Sequence, residues 1–314
     1  MLKQFAYRSI QLATVLFLLS LLTFILMKLA PGDPVLAIAR ASDGSLSQTE
    51  QAELRESLGL KRPVYEQYGS WLSQIVRLDW GKSLISNRSV WDLLAERLPA
   101  TVSLAVGAML ALVLISFPLG VLAAKFEGRL PDAFSRTIAL LGASVPSFWL
   151  ALLLIYAFAY RLNWLPAMGH GSLLHLILPS LTLGFVMAPE YIRLLRAGLL
   201  EAFAQEYVRA ARSRGLAEWR ITSRHALRAA LIPIVAVSGI SLGALMAGSV
   251  VTESLFGWPG LGGMAIEAIR LRDYPVVQGY VLFCGVFFLV ANWLSDIGVA
   301  ALDPRTRLIR RRDE

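Results

Sequence analysis

Cysteine occurs once in 314 residues, at Cys284 within YVLFCGVFF, so the chain has no disulfide framework and no thiol-rich metal site. Cys284 reads as a small packing residue inside an apolar run. Histidine occurs three times, at the scattered positions His170, His175 and His225. The chain also lacks a G-x-x-x-x-G-K-[ST] loop, a G-x-S-x-G turn, an H-E-x-x-H pair and any Cys/His cluster at metal-ligand spacing. These absences argue against an enzyme whose catalytic site is built within this chain. Charge is scarce as well. Only 17% of residues are charged, 56% are hydrophobic, and the mean hydropathy is +0.59, which is too apolar for an ordinary soluble domain of this length.

What is abundant is long apolar sequence bounded by charge. A bilayer core of about 30 Å needs roughly 20 mainly apolar residues per helix. Six windows meet that need, at approximately 9–28, 98–124, 137–160, 172–190, 229–252 and 274–296. The expected fold class is therefore an all-α integral membrane protein of about six transmembrane helices, forming one transmembrane domain over 1–314. Lys3 and Arg8 precede the first window as they would in a signal peptide, but the run is long and MKLAPGDP lacks a small-x-small cleavage pattern, so it reads as a span.

Basic residues orient these spans. With both termini cytoplasmic, the inner segments hold Lys3, Arg8, Lys125, Arg129, Arg136, eight arginines from Arg193 to Arg228 and five from Arg305 to Arg312, which is 18 of the 30 basic residues. The short outer loops hold Arg161, Arg270 and Arg272. The net charge of +8 thus reads as membrane topology, and no nucleic-acid partner is needed to explain it. Glu190 and Asp296 fall at inner ends of spans and Glu253 at an outer end, leaving mid-membrane positions almost free of ionisable groups. Proton- or ion-coupled carriers keep such groups. Their scarcity implies that energy for any transport enters from elsewhere, and disfavours a stand-alone channel or secondary carrier.

The outer segment 29–97 carries helix signals. Ser47 and Glu50 form a capping-box start for a helix through Leu58, which Gly59 ends. After Pro63, the residues Tyr65, Tyr68, Trp71, Leu72 and Ile75 recur at helical spacing, as in a short amphipathic helix on the outer membrane surface. At the outer mouth, His170 and His175 could guide a metal or a chelate, although two histidines without a cysteine or carboxylate beside them make a poor site.

The inner segment 191–228 is the unusual one. Within QEYVRAARSRGLAEWRITSRHALRAALIP, residues 205–233, there are six arginines and two glutamates. On a helix, Ala210, Ala211 and Gly215 form a strip of little bulk that another protein's backbone could approach, and Leu216 and Trp219 add an apolar edge. The alternative is a basic juxtamembrane segment that touches anionic lipid.

The spacing Arg209-Ala210-Ala211, three residues, Gly215 resembles the E-A-A-x-x-x-G coupling loop of ATP-binding-cassette importer permeases. Arg209 stands in place of the hallmark glutamate, and LIP at 231–233 in place of the usual I-x-L-P. EYVRAARSRGL and RHALRAALIP are similar to the dipeptide, oligopeptide and nickel branch, as are LAPGDP, LGLKRPVYEQYGSWL, SVPSFWLALLLIY, LFGWPGLGGMAIEAIRLRDYPVVQG and ALDPRT. NWLPAMGHGS resembles the nickel-type members more closely. The resemblance implies a type I importer permease in a bacterial inner membrane, with no cofactor of its own. Its implied partners are a second permease chain, two ATPase subunits that use ATP and magnesium, and an extracytoplasmic substrate-binding protein. It implies that Arg209, Ala210, Ala211, Gly215, Leu216 and Trp219 meet the ATPase, whose closure switches the spans between inward- and outward-open states. The cargo expected from it is nickel or a nickel chelate, the alternative being dipeptides, oligopeptides or opine-like conjugates.

Overall fold

A computed structural model describes residues 2–29, Val35, Ile38, 47–57 and 59–302. The stretches LAPGDP and ALDPRT lie largely outside these residues. Among the described residues the chain is helical, apart from one isolated bridge between Lys82 and Ser89. Contacts divide it into two compact units, residues 1–100 with 259–287, and 101–258 with 288–314.

The first unit contains α1 (Leu2–Leu29), α2 (Gln48–Ser57), α3 (Val64–Val76), the start of α4 (Val90–Lys125) and, from further along the chain, a helix at Leu261–Leu271 followed by the first turns of Tyr274–Leu302. The capping box forms as the sequence implies. The Ser47 amide donates to Glu50 Oε2 at 2.7 Å, and the Glu50 amide donates to Ser47 Oγ at 3.3 Å. The bond from the Ser47 amide, more than any other contact, holds the Glu50 carboxyl below the ordinary carboxylate range. Gly59, at φ +65°, closes α2. Its amide bonds Glu56 O at 3.0 Å while the Leu60 amide bonds Arg55 O at 2.9 Å, two carbonyls that the end of the helix would otherwise leave open. The aromatic stripe of α3 packs on α1. Tyr68 hydroxyl lies 2.9 Å from Ser20 Oγ, and the Phe24 ring lies 5.2 Å from Tyr68 and 6.4 Å from Trp71. Asp273, buried, accepts from Ser83 Oγ at 2.5 Å and from the Leu84 amide at 3.0 Å, and so anchors the turn that precedes α4.

The second unit holds the rest of α4, then α5 (Leu130–Ser144), α6 (Ser147–Leu154) running into a π-helical turn (Ile155–Arg161), α7 (Leu173–Ala204) and α8 (Glu206–Ser213). A turn at Glu218–Arg220 and a π-helical segment (Ile221–Ala226) lead into α9 (Leu227–Gly248) and α10 (Val250–Phe256). The last two helices of the chain are α11 (Leu261–Leu271) and α12 (Tyr274–Leu302), and the end of α12 belongs to this unit. Among the described residues five helices are long and apolar enough to cross a membrane, and the count reaches six with the bent pair Leu130–Ser144 and Ser147–Arg161 taken as one span.

That pair departs from the single span expected at 137–160, in which Pro146 implied a kink and not a break. It bends by 106°, and the break falls at Val145, which is extended at φ −86° and ψ 124°. Pro146 causes this, because its ring clashes with a helical preceding residue. The fourth span also differs, since α7 does not stop near Glu190 but continues to Ala204 through both Pro179 and Pro189. Arg196 is tolerated on it because its Nε and Nη2 donate to Asp132 Oδ1 and Oδ2 at 2.9 and 3.0 Å. The fifth window, 229–252, is split at Ser249 between α9 and α10.

Within its unit α7 packs against α4 and α9 at sites that only small residues permit. A Cβ at Gly184 would lie 2.8 Å from the Leu112 amide nitrogen and 2.9 Å from Ala108 O on α4, and one at Gly198 would lie 2.9 Å from Ala230 Cα on α9. Such close backbone contact drives helix association where lipid supplies no hydrophobic contrast. On the other side of α4, Val106, Leu110, Val113 and Leu114 remain exposed, a face for acyl chains or another subunit.

Candidate functional site

The basic segment between α7 and α9 is a compact bracket built from its own residues. α7 ends where Gln205 turns extended (φ −73°, ψ 148°), and α8 restarts as Gln205 O accepts from the Val208 and Arg209 amides at 3.1 and 3.3 Å. α8 is two-faced. Val208 and Ala211, three residues apart, are buried against Ile221, with Phe203 and Leu216 packed at the edge. Arg209, Ala210 and Ser213 point outward.

The A-x-x-x-G spacing has a local cause. Gly215 follows α8 at φ +73°, a backbone conformation that costs other residues about 1–2 kcal/mol. Its amide bonds Arg212 O at 2.9 Å, and the next amide, that of Leu216, reaches back to Ala211 O at 3.3 Å. This is the paired closure that a left-handed residue permits at a helix end, and it folds the Leu216 side chain onto Ala211. Ala211 must be small because Leu216 and Ile221 occupy the space beside it. Ala217 is then extended and starts the next turn. Across the gap Arg212 grips Glu218, Nε to Oε1 at 2.8 Å and Nη2 to Oε2 at 3.3 Å, with its guanidinium 5.9 Å over the Phe203 ring.

The six residues singled out by the resemblance therefore divide into two groups. Ala211 lies inside the bracket, so it does not share an outer strip with Ala210 and Gly215. The reason is the two-faced pattern of α8, which turns positions 208 and 211 inward. Leu216 is half-buried. Arg209, Ala210, Gly215 and Trp219 are exposed, Trp219 at 62% with the Arg220 guanidinium 5.3 Å from its ring. Arg209 pairs with Glu206 at 2.9 Å, an exposed pair of the kind worth about 0.2–1 kcal/mol. An arginine at this position thus has a local partner within its own helix.

The Arg212–Glu218 brace was not singled out from the sequence, although a bidentate pair straddling a helix-ending glycine could have signalled it. It gives a test. Glu218→Arg is expected to lower ATP-driven uptake about two- to fivefold, the range an exposed pair allows, and adding Arg212→Glu is expected to restore it. No restoration by the swapped pair would mean that the brace does not shape the loop.

The outer histidines are not drawn into a site. His170 is exposed, and His175 Nδ1 lies 2.8 Å from Ser172 Oγ within the first turn of α7. Among the described residues no three His, Cys, Asp or Glu side chains converge as metal ligands. A buried carboxylate that the sequence placed merely at an outer end is Glu253, 1% exposed, whose Oε1 accepts from Ser249 Oγ at 2.8 Å and Thr101 Oγ1 at 3.3 Å.

Helices long and apolar enough to cross a membrane, with a basic bracket between two of them, fit a membrane transport component. Comparison with known proteins makes the class specific. The family described as "Binding-protein-dependent transport system inner membrane component" matches residues 116–308, and its N-terminal counterpart, "Binding-prot-dependent transport system membrane comp, N-term", matches residues 1–105. The chain belongs to this family of importer permeases. The Glutathione transport system permease protein GsiC of Escherichia coli (strain K12) is 38% identical over 301 residues, covering 96% of this chain and 97% of that protein. The protein of the same name from Shigella dysenteriae serotype 1 (strain Sd197) matches with the same identity and coverage. Among solved structures, a chain of the MetNI methionine ABC transporter in an inward facing conformation aligns with a TM-score of 0.56 at 20% identity, over 67% of this chain and 96% of its own, which shows a shared fold. The protein is thus a multi-pass inner-membrane permease subunit of an importer that works with a substrate-binding protein and with separate ATPase subunits, and is not itself an enzyme. The nickel expectation gains no support, since the relatives named here are glutathione permeases.

Proposed function

We propose that the cargo is a short peptide of the glutathione kind. The observation that carries this reading is the 38% identity to a glutathione permease, sustained over 96% of this chain and 97% of that one. The alignment runs almost the whole length of both chains, so it spans the outer segments as well as the cytoplasmic bracket. The importer is completed by a second, non-identical permease chain. ATPase closure acts on the outer face of the bracket, where Arg209, Ala210, Gly215 and Trp219 make the contact, with Ala211 and Leu216 holding its shape from beneath.

The test is uptake of radiolabelled glutathione, a dipeptide and nickel by cells with and without the gene. Deletion is expected to remove peptide uptake and leave nickel uptake unchanged. Loss of nickel uptake with peptide uptake intact would overturn the reading and return His170 and His175 to consideration.

A further inference from the structure

Within the first unit a cavity of about 320 Å³ lies where the outer end of α1 meets α3 and the start of α12, within the size range of small-molecule sites. Its lining brings together Lys28 of α1, Arg62 just before α3, Glu66 and Gln67 of α3, Trp71 one turn further on, and Gln278 of α12. The lining cations form no ion pair among the described residues. Lys28 Nζ donates to the neutral Gln67 Oε1 at 2.5 Å, and among the described residues neither Lys28 nor Arg62 has a carboxylate within ion-pair distance. Glu66 lines the same space and pairs with neither. The indole N–H of Trp71 is buried at this wall with no hydrogen-bond partner among the described residues, a costly state for a polar group. Gln278, 6% exposed, adds an amide from the other side. In the orientation given by the basic residues, this cavity lies on the extracytoplasmic side.

We infer that this cavity is an outer receiving site for a short peptide bearing one more carboxylate than ammonium, with its carboxylates at Lys28 and Arg62 and its ammonium at Glu66. Two cations and one anion in the lining match that charge pattern, and the glutamine amides and the indole N–H match peptide groups. Glutathione, with two carboxylates and one ammonium, fits it, whereas a dibasic peptide meets repulsion. The inference rests on the peptide-cargo reading above and goes beyond it by assigning the permease a contact with the solute after release from the binding protein. A lipid phosphate has the same anionic chemistry, and the experiment separates the two sources.

The experiment uses the complete transporter, both permease chains with the ATPases, in phosphatidylcholine nanodiscs, and measures equilibrium binding of radiolabelled glutathione without the binding protein. Saturable binding is expected, with competition by excess glutathione and none by lysyl-lysine. Arg62→Gln is expected to weaken it by about tenfold or more, the loss of one charged hydrogen bond. Lys28→Gln with Arg62→Gln is expected to remove it, and Arg88→Gln, outside the cavity lining, to leave it unchanged. Ser70→Trp fills the cavity from an exposed position with every charge in place, and is expected to abolish binding in a normally folded chain. Unchanged affinity in the Arg62, Lys28/Arg62 and Ser70 variants overturns the site, as does displacement of glutathione by phosphatidylglycerol, which would assign the cavity to lipid. Parallel uptake assays with the binding protein keep the two readings apart. If the wild-type complex imports glutathione but binds none by itself, the site is wrong and the cargo right, and if it imports no peptide, both fall.

Discussion

Gly215→Trp is expected to abolish ATP-driven uptake while the chain remains in the membrane in its usual amount. Two physical effects converge on this residue. Its φ of +73° costs any other residue about 1–2 kcal/mol, and the Gly215 and Leu216 amide bonds that close α8 depend on that conformation. The second effect is surface bulk. A Cβ at Gly215 would meet nothing within 4 Å, so an indole there projects from the exposed face and leaves the interior of the bracket untouched. Gly215→Ala separates the two effects, since it adds the strain without the bulk. A fall of about fivefold to thirtyfold is expected for alanine, the factor that 1–2 kcal/mol supplies, against complete loss for tryptophan. Uptake, immunoblotting of membranes and copurification of the ATPase read the result. Full uptake by the tryptophan variant would sink the assignment of this face to the ATPase.

The second large effect concerns stability. Asp132 is 1% exposed and receives three bonds, two from Arg196 and one from the Gly128 amide at 3.0 Å, while Arg136 lies 3.6 Å away. This pair ties the base of α5 to α7. Asp132→Ala leaves the Arg196 guanidinium, 24% exposed, without its bidentate partner and is expected to cost about 3–5 kcal/mol. The observable is a lower thermal midpoint and less folded protein after extraction. Replacing both residues by leucine is expected to cost less than Asp132→Ala, because the penalty comes chiefly from stranding one charge. A double replacement as damaging as the single one would show that the pair acts through some other contact.

Much of this architecture is legible in the sequence because it depends on neighbours. The Ser47–Glu50 box, the glycine stop after α2 and the aromatic stripe of α3 are short-range patterns, and each appears where the residues imply. The A-x-x-x-G signature is legible for the same reason, since a helix end needs its small and left-handed residues at fixed offsets. What escaped depends on partners distant in the chain. Pro146 implies a kink, but hydropathy counts apolar residues and has no sense of direction, so the size of the 106° bend at Val145 was not legible. Glu190 marked the end of the fourth span, yet the helix runs on through Arg196, whose neutralising Asp132 lies 64 residues earlier in the chain. Ala210 and Ala211 are identical letters, and only the burial of Val208 decides which of them faces inward. Cargo is the least legible property, because recognition uses a handful of polar groups that no periodicity announces.

The unbroken length of α7 has a geometric consequence. Thirty-two residues make a rod of about 48 Å, longer than the hydrocarbon core is thick, so the stretch near Ala204 overhangs the bilayer. Two internal prolines do not interrupt it. A tilt of about 5° about one end displaces the other by about 4 Å, comparable to the diameter of a methyl group or a water molecule. A small rotation imposed at the cytoplasmic end would therefore carry the far end by that distance, with no joint needed inside the membrane.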